Sequence, residues 1–112
     1  MRLWVVQVAH EGDLSSSVHL TERGAAVAAI TDLLDFLQIE DEDGAVEAVE
    51  VHYGGPEHDA PDRGAISGMW NRENLKEIKV KELWKIFNMW AQCTWDNQWG
   101  YMIEVNRSTL EA

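Results

Sequence analysis

Four histidines, one cysteine, a run of three serines and twenty carboxylates are the groups in this 112-residue chain whose types could do chemistry. His52, Glu57, His58 and Asp59 cluster in "HYGGPEHD", and His10 and His19 flank an early turn. A zinc centre normally announces itself as an H-E-x-x-H helix or as paired Cys/His spacing, because donors must converge tetrahedrally. Neither spacing occurs, so the histidines read as solvated side chains and no metal is assigned. Ser15, Ser16 and Ser17 lie near His19 but lack the G-x-S-x-G elbow that lifts a nucleophile. Cys93 stands between Trp90 and Trp95 near a helix end, a setting for a buried apolar thiol rather than an activated thiolate. "GAISGMW" lacks the Lys-Ser/Thr pair of a phosphate loop. No spacing singles out a pair of carboxylates for acid–base work. No catalytic residue and no cofactor is assigned, and the chain reads as non-enzymatic.

The charge is more informative than the motifs. The formal net charge is −11, and residues 24–62 hold eleven acids with no Lys or Arg. Residues 63–85 reverse the sign, with Arg63, Arg72, Lys76, Lys79, Lys81 and Lys85 against three acids. An acidic field of this kind repels nucleic acid and membrane surfaces and draws in basic partners. The lysines, with Trp84 as a stacking ring, could suggest single-strand binding. Glu73, Glu77 and Glu82 alternate with them at helix-pair spacing, however, which marks a solvated ion-paired face.

The elements that must position these groups follow from periodicity. The length predicts a single domain, 1–112, with one modest core. A single cysteine excludes an internal disulfide framework and fits a reducing cytoplasm. No stretch nears the ~20 apolar residues of a membrane span, and no signal peptide is recognisable at the start. "LWVVQVA" (3–9) predicts a strand buried on both faces, "HEGDLSSS" (10–17) a turn, and "VHL" (18–20) a short return strand. Thr21 is a good N-cap, with Glu22 at the positive end of a helix running to about Gln38. Ala26, Val27, Ala29, Ile30, Leu33, Leu34, Phe36 and Leu37 fill its apolar half-cylinder. Glu22, Ala25, Ala28, Thr31, Asp32 and Asp35 form an acidic second face leading into "EDED" (40–43).

Farther along, "AVEAVEVHY" (45–53) is read as a strand from the alternation of Val49, Val51 and Tyr53, although Val46 and Val49 also suit a helical turn. Both prolines fall in "GGPEHDAPDRG" (54–64), an exposed loop. "LKEIKV" (75–80) is read as a short extended piece and "KELWKIFNMWAQC" (81–93) as a helix with Leu83, Ile86, Phe87 and Trp90 on one stripe. "NQWGYMIEV" (97–105) closes the fold as a strand with Trp99, Tyr101, Ile103 and Val105 on its apolar face. Trp90 and Trp99 are therefore core rings. Trp70, Trp84 and Trp95 are the rings expected to be partly exposed and available as hydrophobic anchors.

The segment "VVQVAHEGDLSSSVHLTERGAAVAAITDLL" resembles small phage- and plasmid-encoded α+β proteins. In that pattern a strand ends in a His-containing turn, a second strand ends in His-x-Thr-Glu, and an alanine-rich helix follows. His10, His19, Thr21, Glu22 and the 25–30 helix match it, and "LWKIF" and "WGYMIEV" suit its closing helix and strand. The acidic stretch 39–63 departs from it. The resemblance implies a mobile-element origin and a likeness in size and acidity to anti-CRISPR and other anti-defence inhibitors, and it carries no catalytic residues.

The expected fold is α+β, a mainly antiparallel sheet of three or four strands with two helices packed on it. The leading functional expectation is an acidic, cytoplasmic binding protein that acts as a DNA mimic on a basic, nucleic-acid-binding surface of a CRISPR effector or nuclease. Asp32, Asp35, Glu40, Asp41, Glu42 and Asp43 would supply the charge, with Trp70, Trp84 or Trp95 as anchors; direct nucleic-acid or membrane binding is not expected. The alternative is an aromatic interaction module or homodimer unrelated to defence. A small enzyme or metal protein using His52 and His58 is a third reading.

Overall fold

A computed structural model describes residues 2–10, 12–53, 63–94 and 101–109. The chain is an α+β fold. Strands β1 (Arg2–His10) and β2 (Asp13–His19) are followed by helices α1 (Glu22–Phe36), α2 (Glu42–Tyr53), α3 (Arg63–Ser67), α4 (Arg72–Leu75) and α5 (Val80–Cys93), and then by β3 (Met102–Thr109). The sheet is antiparallel, in the order β2-β1-β3.

The hairpin is tighter than the serine-rich sequence suggests. His10 pairs with Asp13, and Gly12 takes the left-handed backbone (φ +89°) that so short a connection demands. β2 therefore begins at Asp13 rather than Val18. Leu14 to Ser17 pair with Ala9 to Val6, because the ladder overrides the polarity of the serines.

β1 meets the expectation of burial on both faces only in part: Leu3, on the face opposite Val6, is buried, but the rest of that face is not. Trp4, Val6 and Val8 turn toward the helices, where Val6 packs with Ala25 and Ala29 of α1. Gln7 on the opposite face is exposed, as are its cross-strand neighbours Ser16 and Glu104. The helices cover one face of the sheet and leave much of the other open.

α1 starts as its capping residue requires: the Thr21 hydroxyl accepts from the Gly24 N–H at 3.0 Å. It buries two stripes rather than one. Ala26, Ile30, Leu33 and Leu34 enter the main core with Leu83, Ile86, Met89 and Trp90 of α5. Ala25 and Ala29 lie against the sheet. Ala25, expected on the acidic face, is fully buried, its small side chain allowing close approach to β1. The helix ends in a Schellman motif, with the Ile39 N–H donating to the Leu34 carbonyl and the Gln38 N–H to that of Asp35. Gln38 occupies the left-handed position usually given to glycine (φ 59°).

Residues 45–53 are helical, not a strand. Asp41 caps α2, its Oδ1 accepting from the Gly44 N–H at 2.7 Å, and Glu42 and Asp43 occupy the first turn, where the helix dipole favours negative charge. Ala45 and Val49 are buried one turn apart, while Val51, which the strand reading placed on the same face as Val49, is 69% exposed. The segment 75–80 is not extended either. Asn71 caps α4 by accepting from the N–H groups of Glu73 and Asn74, Leu75 ends it fully buried, and α5 begins at Val80. α3 begins inside the expected 54–64 loop.

α5 and β3 follow their expected faces. Leu83, Ile86, Met89, Trp90 and Cys93 are the buried stripe of α5, and the Trp90 indole N–H donates to the Met69 carbonyl at 3.0 Å. Ile103 and Val105 turn inward from β3 while Met102, Glu104 and Asn106 turn out. Phe87 and Ile103 touch both core clusters and join them. The expected beginning of β3 at Asn97, with Trp95 and Trp99, lies outside the described residues.

Candidate acidic and open-sheet surfaces

The acids of α1 are engaged within the fold. Positions 25, 29, 32 and 36 follow one helical row, so the stripe that seats Ala25 and Ala29 on the sheet also carries Asp32 and Phe36 to its end. There the Tyr101 hydroxyl donates to Asp32 Oδ2 at 2.6 Å, and its ring stacks on Phe36 at 4.1 Å. The His10 ring meets Phe36 edge-on at 5.1 Å. Burial pushes the Tyr101 pKa far up, and the bond to Asp32 and the charges of Asp32 and Asp35 add to it. Asp35 pairs with Arg72 at 2.6 Å, and Glu22 accepts from the Trp84 indole at 2.8 Å.

The acidic surface accordingly moves to α2 and the turn before it. Glu40 and Asp41 are exposed, Glu42 is half-buried, and Asp43, Glu47 and Glu50 are exposed along one stripe. At 1.5 Å rise per residue, these last three occupy about 10 Å of helix. No cation makes an ion pair with Glu47 or Glu50 among the described residues. Beside Glu47 the exposed Val51 borders a cleft of about 390 Å³ that reaches Leu37 and Cys93. Reading 45–53 as a strand hid Glu47 and Glu50, although their offsets of four and seven residues from Asp43 are a helical signal visible in the sequence.

Of the tryptophans proposed as anchors, Trp84 is half-buried between Trp4 (6.2 Å) and Phe87 (5.8 Å), besides its bond to Glu22. Arg107 lies over the Trp4 ring at 5.8 Å, so this cluster ends in a cation–π contact. Trp70 is half-buried against the main core, and its buried indole N–H has no acceptor among the described residues. Trp95 is outside them.

The second candidate surface is the uncovered side of the sheet. Leu14 is 84%, Val18 60% and Met102 63% exposed. Leu14 and Met102 flank Ala9 from either side, and with Gln7, Ser16 and Glu104 they line a hollow of about 500 Å³.

The groups first considered for catalysis are not drawn together. The Ser17 hydroxyl and His19 Nε2 lie 2.8 Å apart on exposed β2, yet no carboxylate among the described residues orients the other ring nitrogen, as a working triad needs. Cys93 is buried. No three His, Cys, Asp or Glu side chains among the described residues form a metal-sized cluster. Of the loop proposed for metal binding, Glu57, His58 and Asp59 are outside the described residues, as is the side chain of His52. No described helix is long and apolar enough to cross a membrane.

No protein-family model, curated protein or solved structure matches the chain.

Proposed function

We propose that this is a non-enzymatic binding protein that presents the acidic surface of α2 and its leading turn to a basic surface on a larger nucleic-acid-handling protein. The observation that carries this reading is the division of labour among the acids. Glu22, Asp32 and Asp35 have internal partners, whereas Glu40, Glu47 and Glu50 face solvent without a cation in contact among the described residues. The exposed Val51 adds an apolar anchor beside them. Charge of this density accelerates encounter with a cationic surface, and burial of a neighbouring apolar group slows release.

The concrete form of the proposal is a mobile-element inhibitor that occludes the nucleic-acid channel of a CRISPR effector or nuclease, as the resemblance at residues 5–34 implies. A tagged protein would be used to capture partners from host lysate, alongside E47K/E50K and D32N/D35N variants. Salt-sensitive capture of a nucleic-acid-handling protein that is lost in E47K/E50K and retained in a folded D32N/D35N protein is the expected result. Equal capture by E47K/E50K would refute the assignment to α2. The second reading, an interaction module unrelated to defence, draws support from the open sheet, and its capture would persist at moderate salt.

A further inference from the structure

Every residue of β2 from Asp13 to Val18 is exposed, and His19 is half-exposed. Its helix-side residues Asp13, Ser15 and Ser17 are exposed, and its outward residues are Leu14, Ser16 and Val18. Among the described residues only one of its edges is paired, to β1. Natural edge strands are usually guarded by lysine, proline, a bulge or shortness. β2 has no lysine, proline or bulge and is seven residues long in unbroken register; its one carboxylate, the inward Asp13, stands at its very start. Its central stretch, Leu-Ser-Ser-Ser-Val, reads the same in character from either end about Ser16, with the complementary Asp13 and His19 at its two ends.

We infer that β2 is a homodimerisation edge, pairing antiparallel with β2 of a second copy about a two-fold axis at Ser16 to make a continuous six-stranded sheet. In that register Leu14 of each copy lies opposite Val18 of the other. Ser15 lies opposite Ser17, and Asp13 lies opposite His19. Directly opposed residues share a face of the sheet, so the two Leu–Val pairs come together on the open side. The Asp–His pairs set a carboxylate acceptor against an imidazole donor on the helix side. A shift of the axis to Ser15 would lose this, placing Leu14 against Ser16 and Asp13 against Ser17. The chosen register alone pairs all seven residues of β2 within β2.

The acidity of the chain does not oppose this contact strongly. None of the eleven acids of residues 24–62 is on β2, and α2 packs on α3 and α5. Exposed charges farther apart than roughly 8 Å are largely screened at physiological salt. A second copy fits better than an unrelated acidic or basic strand, because the edge carries one potential anion and one histidine placed symmetrically about its centre. The inference is independent of the acidic docking surface on α2.

A single strand pair makes a small interface, so dissociation is expected at roughly micromolar concentration. Sedimentation of the full chain from about 1 to 300 µM should therefore pass from monomer to dimer. L14K/V18K places lysine opposite lysine at both pairs and should leave a folded monomer by circular dichroism. L14K/V18E places lysine opposite glutamate and should restore the dimer, a rescue that misfolding would not produce. Ser16→Cys should form an intermolecular disulfide on mild oxidation, since that position meets itself at the axis. Monomer at every concentration would overturn the inference. So would a dimer indifferent to L14K/V18K, or L14K/V18E remaining monomeric while folded.

Discussion

Removing the Tyr101 hydroxyl tests whether Asp32 belongs to the interior of the fold or to its docking surface. The 2.6 Å bond joins a neutral donor to a carboxylate on a half-buried residue. Hydrogen bonds to charged groups contribute about 1.5–3 kcal/mol, and partial exposure lets water replace the lost donor, which places Tyr101→Phe near 1–1.5 kcal/mol. For a domain of this size that is a fall in Tm of about 5 °C. In a urea-unfolding cycle, Tyr101→Phe and Asp32→Ala should be non-additive by about 1 kcal/mol, because each removes the same contact. The alkaline limb gives a second reading. The folded state holds the Tyr101 proton above its ordinary value near 10, while the unfolded chain releases it there. The advantage is complete below about pH 10 and declines as pH rises beyond it, so the unaltered protein and Tyr101→Phe should converge in stability above that point. Equal urea midpoints at pH 7, additive variants or parallel alkaline limbs would refute the account.

Val49→Ala should cost about 2 kcal/mol in urea unfolding because it empties a buried site, and Val51→Ala should change stability by under about 0.5 kcal/mol. Similar losses at both positions would return the segment to an alternating strand. Gln38→Gly should stabilise the protein by about 0.5–1 kcal/mol, since glycine takes the left-handed position of the Schellman motif without strain. A lower Tm for this variant would show that the Gln38 side chain contributes more than its backbone costs.

Local chemistry was legible wherever one strong signal acted alone. Thr21 marked the start of α1 from its hydroxyl, and Leu83, Ile86 and Trp90 marked the buried face of α5 from their spacing. Ile103 and Val105 marked the inner face of β3 by alternation. The α+β class followed from these elements. The hairpin itself was legible, but its second strand was cut short, because Ser15, Ser16 and Ser17 are turn-like in isolation and only pairing with β1 makes them a strand. Residues 45–53 mislead for a different reason: Val49, Val51 and Tyr53 alternate by coincidence, while the deciding feature, the Asp41 cap, lies inside an acidic run that reads only as charge. The same run hid the site. Asp41 reads in the sequence as a docking acid although its carboxylate begins a helix, and Glu47 and Glu50, masked by the apparent strand alternation, face solvent. Internal use of Asp32 and Asp35 was not legible, because their partners Tyr101 and Arg72 are distant in sequence.

The position of β1 between an immediate neighbour and a remote one imposes an order of events on folding. Its pairing with β2 closes across a two-residue turn, but Ala9 meets Met102 only after every helix has intervened. Loop closure costs about 0.6 kcal/mol more for each doubling of length, so the hairpin forms early and β3 late unless the helices first shorten the path. Packing α5 on α1 does this, because Phe87 of α5 and Ile103 of β3 meet in both core clusters. Until β3 arrives, the strand at the centre of the finished sheet is itself an open edge. The nascent fold therefore passes through a period with two unpaired edges exposed, and the contact between α1 and α5 governs how long that period lasts.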